Sequence, residues 1–250
     1  MIAERVVYNM NTKIKRLGVI GAMESEISLL LSKMSDTEST KIGKHTFFCG
    51  TLSGVNVVLA RAGVGKVNAT ICTCNMISHF SPDAIINVGV GGSLSKNLAV
   101  GDVVVATNAV EYDLDYGSLG DERGAIFFGD GESIVRIPTD AELSDAIFDA
   151  SVAISGGEYK TERGLIASGD KFVSSDIARE DILSFFPDAL VCEMEGAAIA
   201  HAGFMHSLPV TILRSISDGA NSDSEIDFPT FVNIAADRAA RIIERLCLNI

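Results

Sequence analysis

Short apolar runs and stretches of helical spacing alternate along the chain. Residues 17–22 (Leu17-Gly18-Val19-Ile20-Gly21-Ala22) form a continuous apolar run bounded by glycine, the pattern of a strand buried on both faces. A helix is predicted next, through Lys33, with Ile27, Leu30 and Leu31 at helical spacing. Segments 46–52 and 55–60 flank Ser53-Gly54, which reads as a hairpin. Gly63-Val64-Gly65-Lys66 opens a helix to about Phe80, and 84–88 is another buried strand that runs into Gly89-Val90-Gly91-Gly92-Ser93. A strand at 102–106, a helix at 140–153, a strand within 164–173 and a helix at 177–186 follow, the last ended by Pro187. A strand near 191 then leads to a helix reaching about His206, and a strand at 210–215 leads to a closing helix at 227–246. No repeat or low-complexity linker interrupts the alternation, which predicts a single α/β domain over 17–250 with a mixed central sheet. Residues 1–16 read as an extension, expected to be partly disordered.

Two stretches stand out. Residues 107–138 are irregular, rich in Gly and Asp, and carry Tyr112, Tyr116, Phe127 and Phe128; a loop that long in a compact domain usually has a function, such as covering a site or joining a subunit interface. In Val191-Cys192-Glu193-Met194-Glu195-Gly196-Ala197, two carboxylates two residues apart sit where an apolar strand meets an Ala-rich helix. If the strand is still extended there, both point to one side of the sheet. One reading is the floor of a small-molecule site, since open α/β sheets bind ligands beyond the C-terminal ends of their strands. The other is a buried glutamate balanced by an arginine.

The balance of 20 Lys plus Arg against 33 Asp plus Glu gives a net charge of −13 with no polybasic run, which argues against nucleic-acid or anionic-membrane partners. Aromatics make up only 6% of the chain, Trp is absent and Gly numbers 23, a composition suited to closely packed strands and tight turns. Cysteines at 49, 72, 74, 192 and 247 include no C-x-x-C pair and read as reduced, buried thiols of a cytoplasmic protein. No apolar run reaches the roughly 18 to 20 residues of a membrane span, and the first 16 residues do not make a secretory signal.

Several chemistries fail on spacing. A phosphate loop needs Gly at 60 and Ser or Thr at 67, where the chain has Ala60 and Val67. The glycines at 89–92 do not complete G-x-G-x-x-G, because position 94 is Leu. His201 and His206 lie about 140° apart around a helix and cannot share a metal. There is no G-x-S-x-G and no H-E-x-x-H. What remains are carboxylates just beyond apolar strands, namely Glu26, Glu193, Glu195 and Asp218, which suit acid/base chemistry without a metal. Glu26 has a purely structural reading as well, because acidic residues stabilise helix starts.

Gly18-Val19-Ile20-Gly21-Ala22-Met23-Glu24-Ser25-Glu26, Ala62-Gly63-Val64-Gly65-Lys66-Val67, Ile86-Asn87-Val88-Gly89, Val191-Cys192-Glu193-Met194-Glu195 and Arg214-Ser215-Ile216-Ser217-Asp218 occur in this order. Together they resemble the 5′-methylthioadenosine/S-adenosylhomocysteine nucleosidases of the purine nucleoside phosphorylase superfamily, from about Leu17 to Leu246. The resemblance implies a three-layer α/β/α fold around a mixed sheet, a homodimer, an adenine nucleoside as substrate, and neither metal nor organic cofactor. It assigns Glu26 to activating water and Asp218 to protonating N7 of adenine. Glu195 would bind the ribose hydroxyls, with Met194 packed on the sugar and Gly92 on a turn beside it. Phe172 would stack on adenine and the Val173 main chain would bond the base edge. Arg214 and Ser217 would support the water and Asp218, Met23 and Phe228 would wall the alkylthio end, and the loop of Tyr116 would complete that pocket in a partner subunit. One departure is Val90, where family members commonly carry Ser close to the attacking water; Ser93 is nearby in sequence.

These assignments require Asp218 to be a neutral acid, raised by burial, and Glu26 to stay ionised at its helix start. They also leave alternatives: a phosphorolytic relative, a nucleosidase for another adenosine-like nucleoside such as aminodeoxyfutalosine, or a non-catalytic nucleoside-binding protein. Against phosphorolysis, the loop Gly21-Ala22-Met23-Glu24 offers an acid and no arginine to a phosphate.

Overall fold

The computed structural model describes residues 14–129, 131–218 and 228–250, the side chains of 228–230 excepted. In chain order the elements are β1 (Arg16–Gly21), α1 (Glu24–Lys33), β2 (Ser35–Ile42), β3 (His45–Leu52), β4 (Val55–Arg61), α2 (Lys66–Phe80), β5 (Ala84–Ser93) and β6 (Val103–Glu111). The short strands β7 (Ile126–Phe127), β8 (Ser133–Ile134) and β9 (Ile137–Pro138) precede α3 (Ala141–Ser155) and β10 (Thr161–Ser168). The chain continues with α4 (Asp176–Phe185), β11 (Ala189–Glu193), α5 (Gly196–Met205), β12 (Val210–Asp218) and α6 (Phe228–Cys247).

The main sheet runs β11-β10-β6-β12-β5-β1-β4-β3-β2, with β9 on β6. It is mixed, as expected: β5 is parallel to β1 and β12, whereas β12 and β6 are antiparallel. Alternate residues of the central strands face opposite helix layers. Val19 and Ile86 belong to the core under α1, α3 and α6, and their neighbours Ile20 and Ile85 to the core under α2 and α5. This is the three-layer arrangement, and burial on both faces explains why β1 and β5 read as unbroken apolar runs.

Two features were not anticipated. β2 is an edge strand of sequence Ser-Asp-Thr-Glu-Ser-Thr-Lys-Ile, exposed for nearly its whole length; polar, charged residues there keep an unpaired edge from recruiting another chain. β11 also pairs with β5, through Val191 with Ser93 and Cys192 with Gly92. Strands β5, β12, β6, β10 and β11 thereby close into a ring. Gly92 is therefore not on a turn but inside β5, with Cys192 on one side and Asp218 on the other.

The folded part begins before residue 17: Ile14 is buried and β1 starts at Arg16. Residues 1–13, most of the expected extension, lie outside the described residues. So does the side chain of Phe228, although its backbone opens α6.

Candidate active site

The site is built where the C-terminal ends of β1, β5, β11 and β12 meet. Glu26 is the third residue of α1, and its carboxylate turns back to the loop that β1 feeds. Oε2 accepts from the N–H groups of Ala22 (2.7 Å) and Met23 (2.8 Å), and Oε1 from that of Val90 (3.3 Å). The bond to Met23, the N-cap, is half of a capping box, so the structural reading of Glu26 is correct as far as it goes. The side chain is nevertheless 6% exposed, and burial raises its pKa despite the opposing N–H groups and Arg214. Desolvation thus outweighs the first-turn field that the sequence suggested.

Glu193 and Glu195 part company. Glu193 ends β11 and pairs with Arg214, whose guanidinium also bonds the Asn87 side chain and the Leu213 carbonyl. Its other bonds come from Ser168 Oγ and from the N–H groups of Glu195 and Gly196 at the start of α5. Glu193 is therefore the arginine-balanced glutamate of the second reading. Glu195 has left strand geometry, with φ −134° and ψ −34° as N-cap of α5. Its Oε1 accepts from the N–H of Gly65 at 2.7 Å. Burial, reinforced by the Glu193 charge, lifts Glu195 to about 7. The glycine loop before α2 thus presents its N–H to a carboxylate; Gly65 sits at φ +95°, a conformation that L side chains rarely adopt.

Arg214 lies against Gly89 and Glu26 and bonds Glu193 and Asn87, while Asp218 has other partners. Ser217 Oγ donates to Asp218 Oδ1 at 2.8 Å, the support expected of it, and Arg179 Nη2 donates to Oδ2 at 2.7 Å. The Asp218 side chain is 45% exposed, so the burial expected of it is not found. Arg179 was missed, since nothing in the polar stretch Asp176-Ile177-Ala178-Arg179 marks it. Asn87 was legible as a polar residue inside an apolar strand. It also bonds the Ile20 carbonyl at 2.9 Å, tying β5 to β1 below the site.

Two glycines of β5 set the spacing. A Cβ on Gly89 would meet Glu26 Oε1 at 2.7 Å, and one on Gly92 would meet both Asp218 oxygens at 3.2 Å. Along a strand these positions are about 10 Å apart, the scale of a nucleoside. Met23 and Met194 are half-buried nearby in sequence to Glu26 and Glu195. Phe172 is 73% exposed, whereas Val173 is buried against Ile182 and Phe186. Their loop is anchored by Asp170, which accepts from the Lys66 N–H and donates its own N–H to Asp113.

The family model for the phosphorylase superfamily matches residues 16–247. The 5′-methylthioadenosine/S-adenosylhomocysteine nucleosidase of Shewanella pealeana is 36% identical over 228 residues, covering 91% of this chain and 96% of that protein. The Neisseria meningitidis enzyme of the same name, solved in complex with methylthio-immucillin-A, superposes with a TM-score of 0.87 at 35% identity, over 95% of this chain and 100% of the other. The chain belongs to the 5′-methylthioadenosine/S-adenosylhomocysteine nucleosidase family. The same fold also carries the futalosine hydrolase of Helicobacter pylori, at TM-score 0.84 and 30% identity over 95% and 99% of the two chains. Among the described residues, no cluster of His, Cys, Asp and Glu is arranged to hold a metal, and no helix is long and apolar enough to cross a membrane.

Proposed function

We propose that this protein hydrolyses the N-glycosidic bond of 5′-methylthioadenosine, S-adenosylhomocysteine or both, releasing adenine and the 5-thioribose product. The observation that carries this reading is Glu26: a buried carboxylate with a raised pKa, aimed by three N–H groups at the end of β5. A carboxylate of that kind is a stronger base than an exposed one and suits the activation of water. As the bond between C1′ and the base breaks, Asp218 delivers a proton to N7, so that adenine leaves neutral. Water adds to C1′ of the cationic sugar and passes its proton to Glu26. Glu195, when ionised, accepts from the ribose hydroxyls and favours the oxocarbenium-like sugar electrostatically. Gly92 leaves room beside the sugar; Met194 packs on it and Met23 lines its 5′ end. Phe172 and the Val173 main chain receive the base, and Arg214 and Ser217 hold Glu193 and Asp218 in place.

Hydrolysis rather than phosphorolysis is favoured by the β1–α1 loop. Arg61 is paired with Glu24 of that loop at 3.3 Å. The test is adenine release in phosphate-free buffer from methylthioadenosine, S-adenosylhomocysteine, adenosine and aminodeoxyfutalosine. Glu26→Gln and Asp218→Asn should each lower turnover by orders of magnitude. Normal activity in both, or a strict need for phosphate, would overturn the reading.

We further infer a cytoplasmic homodimer. Val64, Val67 and Ile71 on and before α2, with Leu119 and Phe127 in the 107–138 region, expose apolar side chains that a second copy would cover. Tyr116, edge-on to Phe127, would then reach the partner's 5′ pocket.

A further inference from the structure

We propose that Arg179 is a positioning residue at the base end of the pocket: it holds Asp218 while the site is empty and yields it to the purine when the nucleoside enters. This rests on the reading of Asp218 as the proton donor. In the structure each Asp218 oxygen accepts one hydrogen bond, Oδ2 from Arg179 and Oδ1 from Ser217. A carboxylate bonded this way only accepts, and N7 of a neutral adenine also only accepts. The two therefore meet only with a proton between them, while the Arg179 guanidinium sits on Oδ2. Each oxygen keeps a second lone pair, but a guanidinium on Oδ2 favours the bare carboxylate whereas N7 needs the proton, so the two pairings oppose each other.

The surroundings of Arg179 make the exchange cheap. Its side chain is 12% exposed, and its Nε is buried without a hydrogen-bond partner, so the guanidinium is incompletely satisfied where it stands. Nη1 already reaches Asp176, one turn back on α4, at 3.3 Å, and that carboxylate is 83% exposed. When Asp218 leaves, Arg179 keeps a counter-charge, and the penalty of an uncompensated cation is avoided. Asp218 in turn keeps Ser217. Asp176 and Asp218 thus compete for one guanidinium, one from solvent and one from the pocket. The helix that presents Arg179, α4, begins at Asp176, three residues after Val173, one of the two residues assigned to the base.

The competition predicts opposite signs for two variants, read as the dissociation constant of adenine by calorimetry and as KM and kcat for methylthioadenosine. Arg179→Met should tighten adenine binding about two- to five-fold, the fold-change of one partly exposed ion pair, with the change in turnover falling on KM rather than kcat. Arg179→Lys should restore the wild-type constant. Asp176→Asn, a surface change, should weaken adenine binding, because Arg179 then has only Asp218. Both effects should vanish in an Asp218→Asn background. Weaker adenine binding in Arg179→Met, or the same sign in both variants, would overturn the proposal. If Asp218→Asn retains full turnover, the proton-donor reading itself fails. If it abolishes turnover while adenine binding ignores Arg179 and Asp176, only the role of Arg179 fails.

Discussion

Glu193 and Arg214 form an ion pair with both side chains only 2% exposed, and the same carboxylate accepts the first free N–H groups of α5. Arg214 is the largest fully buried side chain of the protein's described residues, and Asn87 and the Leu213 carbonyl take up more of its donors. Removing one member of such a pair leaves the other charge uncompensated, at a cost of about 3–5 kcal/mol. Glu193→Ala is expected to lose that much in urea denaturation. Glu195→Gln is expected not to lower stability near neutral pH, since it removes a buried charge that no cation among the described residues pairs with, and to raise KM instead. Equal stability losses would mean that the two glutamates are not divided between scaffold and site.

Gly89 fixes how close β5 can come to the Glu26 carboxylate. A methyl group there would sit 2.7 Å from Oε1, and that oxygen cannot retreat without breaking its bond to Val90. Gly89→Ala should displace the carboxylate by a fraction of an ångström to about 1 Å and lower kcat roughly 100-fold. Circular dichroism should report an unchanged fold. A fully active Gly89→Ala protein would show that Glu26 does not act from this position.

Much of the fold was legible because β1 and β5 are covered on both faces and α1 and α2 on one, so their apolar patterns match their burial. β2 was not legible: all but its last residue are exposed, and an edge strand selected for polarity carries no alternation. The two-residue strands leave no local signal: β7 and β8 pair only with each other, and β9 is held by β6. At the site, Glu26, Glu195 and Asp218 could be named from sequence. The division between Glu193 and Glu195 could not, because it depends on β11 ending at Glu193, so that Glu195 is not extended. The pairing of Asp218 with Arg179 joins residues 39 apart and needs the closed ring of strands to bring them together.

Glu195 gives the pH dependence a sign. Its value rises from 4.5 in the unfolded chain to about 7, through burial first and then through the Glu193 charge. Between those values the unfolded state binds fewer protons than the folded one, so the stability of the ligand-free protein falls as pH rises through the window. The melting temperature should decline from about pH 4.5 to about 7, and Glu195→Gln should flatten the decline. Over the same range kcat/KM should increase, because the ionised group offers both oxygens as strong acceptors to the ribose hydroxyls and its charge favours the cationic sugar. A Glu195→Gln protein with an unaltered pH profile of both quantities would remove this residue from the sugar site.

Val90 stands where the resemblance to the nucleosidases leads one to expect a serine. Its N–H holds Glu26 Oε1, but its half-buried side chain offers no hydroxyl to a water beside that oxygen. Ser93 does not stand in for it: the Ser93 hydroxyl is fully buried, donates to the Ser95 carbonyl at 2.8 Å and accepts from the Ser95 N–H at 3.1 Å. Val90→Ser would add one donor next to Glu26. A net hydrogen bond is worth about 1 kcal/mol, so kcat is expected to rise roughly five-fold, with the melting temperature nearly unchanged. Ser93→Ala, by contrast, should lower stability by about 1 kcal/mol and leave kcat as it is. If Val90→Ser does not raise kcat, the attacking water is already fully held by Glu26, and the valine bears on substrate choice, which the same variant would reveal as a changed ratio of kcat/KM for methylthioadenosine and S-adenosylhomocysteine.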